Sequence, residues 1–199
     1  MRILSKKSEG EQTKNRIKEE ITLAIGVERG SLIDIETTGL PRDREHEVVS
    51  FGHITSNKLV IMCRRCKEKT PYYRELRETI RHLPKPFYAY NALYFEKPIM
   101  EEELGLQLPL DSWIDLMGPW RNKAGTLGLK WPKLEELISE PEKYFGEEQI
   151  RGKDCPGLWK AYLSTGNDKM LELIMQHNLS DLLRETILLL LHPELYKTY

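Results

Sequence analysis

Residues 31–40 read SLIDIETTGL, a β-branched run that ends in a Thr-Thr-Gly turn and predicts a central strand. Asp34 and Glu36 lie two positions apart, so a strand points both carboxylates to the same face of the sheet. Ile33 and Ile35 point to the opposite face. Two carboxylates this close repel each other and raise a pKa unless a cation or solvent compensates. The run is therefore a candidate cation site, and the alternative is the solvated polar face of an edge strand.

The segments around this strand predict an α/β domain. Residues 47–54 and 58–64 are apolar-rich runs separated by Thr55-Ser56-Asn57, which predicts a hairpin and three antiparallel strands in all. Further strands are expected over residues 85–90 and 112–117. Apolar residues at three- and four-residue intervals predict helices over residues 72–83, 95–104, 132–138, 158–164 and 169–191. The order predicts a central mixed five-stranded sheet, its first three strands antiparallel, flanked by helices.

The N-terminal segment, residues 1–28, is polar and rich in Lys and Glu. Within residues 15–25, apolar side chains that include Ile17 and Ile21 recur at helical spacing. We therefore expect residues 1–28 to form a partly helical extension. Residues 29–199 are expected to form one domain that is long enough to bury a proper core.

The composition indicates a soluble globular protein whose binding surface is local. Hydrophobic residues make up 40% and charged residues 31%, and the net charge of −1 means that the chain as a whole is not a basic nucleic-acid binder. The longest apolar run, residues 187–191, is far shorter than the roughly 20 residues that cross a bilayer. The first residues lack the apolar stretch of a secretory signal. We expect no membrane partner and a cytoplasmic location.

Residues 34–40, DIETTGL, resemble the first motif of the DEDD, or DnaQ-like, 3′-to-5′ exonucleases. The resemblance implies an RNase H-like fold and four metal-binding carboxylates, of which Asp34 and Glu36 are the first two. It also places Leu40 against the terminal base. Glycine permits a tight turn here, and the exposed N–H groups and hydroxyls can meet a phosphate or a base edge. Substrate contacts are therefore expected at Thr37, Thr38, Gly39 and Leu40.

Residues 90–98, YNALYFEKP, resemble the second acidic motif of this family, which lies on a helix after a later strand. Asn91, Phe95 and Pro98 match the pattern, and Asn91 is expected to contact substrate. The acid is Glu96 instead of Asp, which adds one C–C bond of about 1.5 Å to its reach. Since Mg²⁺ requires near-octahedral ligands, either the helix sits slightly farther back or the site is impaired. Alternatively, Glu96 only opens a helix, where an acid favours the dipole.

Residues 177–181, HNLSD, match the expected position of the third acidic motif on a late helix. His177 and Asp181 are four residues apart and share one face if the helix is continuous. Asp181 would complete the carboxylate set, and His177 would take or orient the proton of the attacking water, a task that imidazole suits near neutral pH. Alternatively, Asn178 caps a new helix with Asp181 in its first turn.

This third motif is most similar to that of the YprB-type RNase H-like exonuclease-like proteins, in which a Tyr-Asn-x-x-Asp element follows a helix with Trp and Tyr. His177 occupies the Tyr position, and residues 158–166 fit the preceding stretch. The resemblance extends to Asp115, for which a supporting role beside the metal ligands is expected, with capping of a turn as the alternative. It also includes Gly128-Leu129-Lys130, where Lys130 is expected to contact substrate.

A basic stretch with interleaved tryptophans follows the second motif. It contains Arg121, Lys123, Lys130 and Lys133, together with Trp120 and Trp131. Such a stretch can bind a single-stranded backbone with stacking, and loop charges beside buried tryptophans are the equally supported alternative.

The motifs together predict a metal-dependent 3′-to-5′ exonuclease that hydrolyses phosphodiester bonds of nucleic acid, with a single-stranded DNA 3′ end favoured and RNA as a further substrate. The resemblance implies two Mg²⁺ or Mn²⁺ ions held by Asp34, Glu36, Glu96 and Asp181. Two alternatives remain. One is a nucleic-acid-binding module with a decayed site, motivated by Glu96 and by the spacing at His177, and the other is an RNase H-like endonuclease.

Overall fold

The computed structural model describes residues 4–7, 10–41, 46–138 and 150–196, and it confirms the α/β fold. The strands are β1 (Leu4–Lys7), β2 (Glu11–Gln12), β3 (Arg16–Thr37), β4 (Val48–Arg64), β5 (Phe87–Ala89) and β6 (Trp113–Asp115). The helices are α1 (Thr70–His82), α2 (Glu96–Glu102), α3 (Gly118–Thr126), α4 (Leu134–Leu137), α5 (Cys155–Thr165) and α6 (Lys169–Leu191). Short 3-10 turns lie at Leu110–Ser112, Gly152–Asp154 and Pro193–Leu195.

The strands form one mixed sheet of six strands, one more than the sequence predicts. The central strand β3 is antiparallel to β4 along its length and to β1 and β2 at its N-terminal half. On its other side, β3 is parallel to β5 at Ser31 and Leu32, and β5 is parallel to β6. The carboxyl ends of β3, β5 and β6 therefore meet at one edge of the sheet.

The predicted helix within residues 15–25 is wrong, because these residues belong to β3. Ile17, Ile21 and Leu23 are buried in the core, with the intervening side chains more exposed, which is the period-two pattern of a strand. Ile17 pairs with Cys63 and Ile21 with Leu59 of β4. Hydrogen bonding to β4 therefore outweighs the helical spacing of the apolar residues, and the segment forms a strand.

The predicted hairpin at Thr55-Ser56-Asn57 is also wrong, because both flanking runs belong to the single strand β4. β3 is 22 residues long, so it pairs with both halves of β4, and the interruption becomes an irregularity in the ladder. Ser56 has a positive φ of 53° there. A Cβ on Gly26 would lie 1.6 Å from the Ser56 carbonyl oxygen, so only glycine fits opposite this irregularity.

The sheet is covered on both faces. Ile33 and Ile35 of β3 pack in one apolar cluster with α1 and α2, and Leu32 packs in the other cluster with α5 and α6. Because Asp34 and Glu36 share a face with Leu32, their side chains point toward α6. The helix α6 continues without a break through His177 and Asn178, as the i, i+4 spacing of the third motif requires. Within the described ranges, no helix combines the length and the apolarity needed to cross a membrane.

Candidate active site

A cleft of about 1000 Å³ opens over the carboxyl ends of the parallel strands. β3 contributes Asp34 and Glu36, and Glu96 comes from the first turn of α2, after β5. The side of the cleft formed by α6 carries His177, Asp181 and Glu185. The three predicted acidic motifs, which are far apart in the chain, are thus brought together. This edge is the usual location of ligand sites in α/β sheets.

Glu36, His177 and Asp181 form the tightest group in the cleft. The Nε2 atom of His177 lies 3.6 Å from Glu36 Oε1 and 3.6 Å from Asp181 Oδ2. One possible ligand atom from each of the three lies within 4.8 Å of the others, a spacing suitable for a shared cation. The Cys155 thiol donates to Glu36 Oε2 at 3.2 Å, and Arg184 donates to Asp181 Oδ1 at 2.6 Å. Both carboxylates are therefore oriented by neighbours that leave one oxygen toward His177.

Asp34 is held by the third motif through Asn178. The Asn178 Nδ2 group donates to Asp34 Oδ2 at 2.7 Å and to the Asp34 carbonyl oxygen at 3.2 Å. Gly52 pairs with Asp34 in the sheet, and a Cβ on Gly52 would lie 1.9 Å from Asn178 Oδ1. The absence of a side chain at Gly52 lets α6 approach the sheet closely enough for this contact.

Gly52→Ala is expected to lower the free energy of unfolding by about 1 to 3 kcal/mol, because the added methyl group displaces Asn178 and Leu182 in a packed interface. Urea denaturation measures the loss. Gly125→Ala is the matched control, since a Cβ there meets open space on α3 and an alanine in a helix stabilises by about 0.5 to 1 kcal/mol. Equal stabilities for Gly52→Ala and the unmodified protein would contradict the close approach of α6.

Glu185 is a further buried carboxylate in the cleft that the sequence analysis missed. Its Oε1 atom accepts a hydrogen bond from the Tyr90 backbone N–H at 2.7 Å. The Oε2 atoms of Glu185 and Glu96 are both buried without a hydrogen-bond partner among the described residues. The signal for Glu185 is present in the sequence, since it lies four residues after Asp181 and so on the same face of α6.

Burial raises the pKa values of four carboxyls in this cleft. After burial, the largest cause is the charge of Glu36 for Asp34 and the charge of Glu96 for Glu185. Burial also raises the pKa of Glu96, and it raises the pKa of Glu36 although nearby His177 opposes the shift. Carboxylates in such a place require protons or a cation to balance them. Buried carboxylate oxygens without partners fit a divalent cation, since hard ions such as Mg²⁺ prefer oxygen ligands.

The six predicted substrate-contacting residues all line the cleft. They are Thr37, Thr38, Gly39, Leu40, Asn91 and Lys130. The Thr37 hydroxyl donates to the Gly39 carbonyl, and the Thr38 hydroxyl accepts the Glu47 N–H at 2.9 Å, so these hydroxyls fix the shape of the turn. Leu40 is 44% exposed beside the carboxylates.

Asp115 supports the turn after β5 and is not part of the cleft lining. Its Oδ1 atom accepts the backbone N–H groups of Asn91 at 3.2 Å and Met117 at 3.0 Å. Its Oδ2 atom accepts a hydrogen bond from Arg121 at 3.2 Å, and Arg121 also donates to Asn91 Oδ1 at 2.9 Å. Asp115 thus both caps its own turn and holds Asn91, which has a positive φ of 73°.

Carboxylates that converge from β3, α2 and α6 at the carboxyl ends of parallel strands define an α/β protein with an RNase H-like fold. A family model described as RNase_H superfamily matches residues 32–190, about four fifths of the chain. The chain belongs to the RNase H superfamily. This membership indicates a nuclease that acts on nucleic acid. No curated protein sequence matches the chain.

Proposed function

We propose that the protein is a metal-dependent 3′-to-5′ exonuclease of the DEDD type, closest to the YprB-type group, with a single-stranded DNA 3′ end as its preferred substrate. The observation that carries this proposal is the convergence of Asp34, Glu36, Glu96 and Asp181 on one cleft. The nuclease domain is proposed to span residues 29–199, and residues 1–28 are proposed to be an extension in which residues 16–28 continue strand β3 of the same sheet. The cytoplasmic location stays a prediction.

Two Mg²⁺ or Mn²⁺ ions would be held by carboxylates of the cleft. The proposed ligands are Asp34, Glu36, Glu96, Asp181 and the additional Glu185. When bound, such ions activate water and neutralise charge that develops on the phosphate and the leaving oxygen. Glu185 is proposed as an additional ligand beside Glu96, because the charges of the two carboxylates interact and the Oε2 atom of each is buried without a partner among the described residues.

The protein's own side chains orient the ligands and handle the proton. His177 lies with Nε2 between Glu36 and Asp181, so it is placed to accept a proton from water bound in the cleft. Asn178 fixes the Asp34 carboxylate, and the Cys155 thiol fixes Glu36. Burial raises the pKa of Cys155, which keeps its thiol protonated and therefore a donor.

The turn after β3 is proposed to hold the 3′-terminal nucleotide. Leu40 is an exposed apolar side chain next to the carboxylates, which suits contact with the terminal base. Asn91 and Lys130 line the same cleft and are proposed to contact the sugar-phosphate backbone. A strand that enters here places its last phosphodiester bond over Asp34 and Glu36.

The direction of cleavage is tested with labelled DNA and Mn²⁺. We expect a 3′-labelled single strand to release labelled mononucleotides, and a 3′-blocked strand to be protected. Circular single-stranded DNA is the matched control, because it has no 3′ end. Cleavage of the circle would replace the proposal with an endonuclease. Failure to cleave any strand together with failure to bind two Mn²⁺ would replace it with a nucleic-acid-binding module.

A further inference from the structure

Two exposed aromatic side chains contact each other beside the cleft. Tyr94 is 59% exposed and Trp131 is 49% exposed, and their ring centroids lie 6.4 Å apart. The guanidinium carbon of Arg121 lies 4.5 Å from the Tyr94 ring centroid and 4.8 Å from that of Trp131. Trp131 lines the same cleft as the carboxylates. We name Tyr94, Arg121 and Trp131 the aromatic rim.

Arg121 gives the aromatic rim a fixed geometry. Its side chain is only 14% exposed, and its NH2 group donates to Asn91 Oδ1 at 2.9 Å and to Asp115 Oδ2 at 3.2 Å. A guanidinium over the face of an aromatic ring is attracted by the negative charge of that face. Each ring therefore has one face near a held cation while more than a third of its surface meets solvent.

The solvent-exposed surface of the two rings does not contribute to the stability of the fold. Leu127 and Leu129, which precede Trp131 in the same loop, are 60% and 62% exposed. Exposed apolar surface that collects beside a cleft is typical of a binding site. By contrast, Trp120 of the same stretch packs against the core and donates to the Tyr196 hydroxyl at 2.9 Å. The two tryptophans of this stretch thus differ, and only Trp131 is available to a ligand.

The charges beside the rim indicate the chemistry of that ligand. Lys130 and Lys133 flank Trp131 in the chain and line the cleft, as does Lys153, and Lys133 also pairs with Glu135 at 3.5 Å. An aromatic surface at a cleft that also carries lysines suits a chain with flat bases and negative phosphates. Bases in a duplex are already stacked on their neighbours, whereas those of a single strand are free to stack on protein side chains.

We propose that Tyr94 and Trp131 are a base-stacking subsite that binds unpaired nucleotides upstream of the scissile bond and selects single strands over duplexes. This inference rests on the proposed function for its substrate class. It adds a binding site outside the three acidic motifs and the turn after β3.

Binding of single-stranded oligodeoxythymidylate, measured by anisotropy with Ca²⁺ in place of Mn²⁺, tests the subsite. Stacking contributes about 1 to 3 kcal/mol per base, so Trp131→Leu and Tyr94→Ala should each weaken binding by about 5- to 150-fold. Trp131→Phe retains a π-face and should restore most of the affinity. Leu163→Ala is the control, because it removes an exposed apolar side chain that does not line the cleft.

An abasic strand and tryptophan fluorescence separate stacking from a general apolar contact. The loss of affinity caused by Trp131→Leu should vanish on an abasic strand. Strand binding should quench the fluorescence of Trp131, so the quenching should be smaller in Trp131→Phe. Unchanged affinity in both Trp131→Leu and Tyr94→Ala, or equal losses on normal and abasic strands, would overturn the subsite. A protein that shows these effects but cleaves no strand would instead overturn the proposed exonuclease activity and leave the subsite standing.

Discussion

Asp34→Asn should lower Mn²⁺-dependent cleavage of a single strand by about a thousandfold or more, because it removes a carboxylate at the centre of the cluster. The same variant should raise the stability of the metal-free protein. Burial and the charges of neighbouring carboxyls raise the pKa of Asp34, so its charge opposes folding. The amide oxygen of Asn can still accept the hydrogen bond from Asn178.

This opposite change in activity and stability separates a functional carboxylate from a structural one. Cleavage rate and the midpoint of urea denaturation are measured on the same samples. Asp111→Asn is the matched control, because Asp111 is exposed and lies outside the cleft, and neither quantity should change. If Asp34→Asn cleaves the strand at the rate of the unmodified protein, the proposed metal site is wrong. A large loss of stability would show that Asp34 serves the fold instead.

Short-range patterns explain why the core of this site could be predicted from the sequence. Because Asp34 and Glu36 alternate with apolar residues, both carboxylates lie on the same face of β3. Because His177 and Asp181 are four residues apart, their side chains lie on the same face of α6. Both follow from the geometry of a single element. The same rule predicts Glu185, one turn farther along α6, but no family motif drew attention to it.

Long-range pairing explains what the sequence analysis got wrong. Residues 15–25 have both a helical spacing and an alternating pattern, and β4 decides between them by supplying a partner over residues 58–64. The prediction of a hairpin at Thr55-Ser56-Asn57 is wrong for the same reason. Because β3 is long enough to pair with both flanking runs, these three residues form an irregularity within one strand. Likewise, no local pattern connects Cys155 to Glu36 or Gly52 to Asn178, because these contacts depend on the tertiary fold.

Without metal, the buried carboxyls of the cleft should lower the stability of the protein as the pH rises from about 4 toward neutral, whereas His53, whose pKa burial lowers to about 4, contributes in the opposite direction. Asp34, Glu36, Glu96 and Glu185 have pKa values raised by burial above the usual values of 3.8 for Asp and 4.5 for Glu. Above those usual values the unfolded chain has lost protons that the folded chain keeps. Each such proton lowers the free energy of unfolding by about 1.4 kcal/mol per pH unit until the pH passes the raised pKa.

Mn²⁺ should reverse this trend, because it binds the ionised carboxylates and only in the folded state. At a hundred times its Kd, a bound ion stabilises by about 2.7 kcal/mol, and the gain should be larger at neutral pH than at pH of about 5. Urea denaturation across this pH range, with and without Mn²⁺, measures both effects. A stabilisation by Mn²⁺ that does not grow from pH of about 5 to neutral pH would contradict the buried cluster.

The Glu185→Gln variant tests whether Glu185, which lies outside the three sequence motifs, contributes to the pH dependence of stability and to the stabilisation by Mn²⁺. Glu185 is buried with Oε2 unpartnered among the described residues, so removing its charge should make the metal-free pH dependence shallower and reduce the stabilisation by Mn²⁺. Glu172→Gln is the matched control, because Glu172 is exposed on the same helix and lies outside the cleft lining. If both variants keep the pH slope and the Mn²⁺ response of the unmodified protein, Glu185 is not a ligand. If only Glu185→Gln loses them, the cluster on α6 extends one turn beyond the third motif.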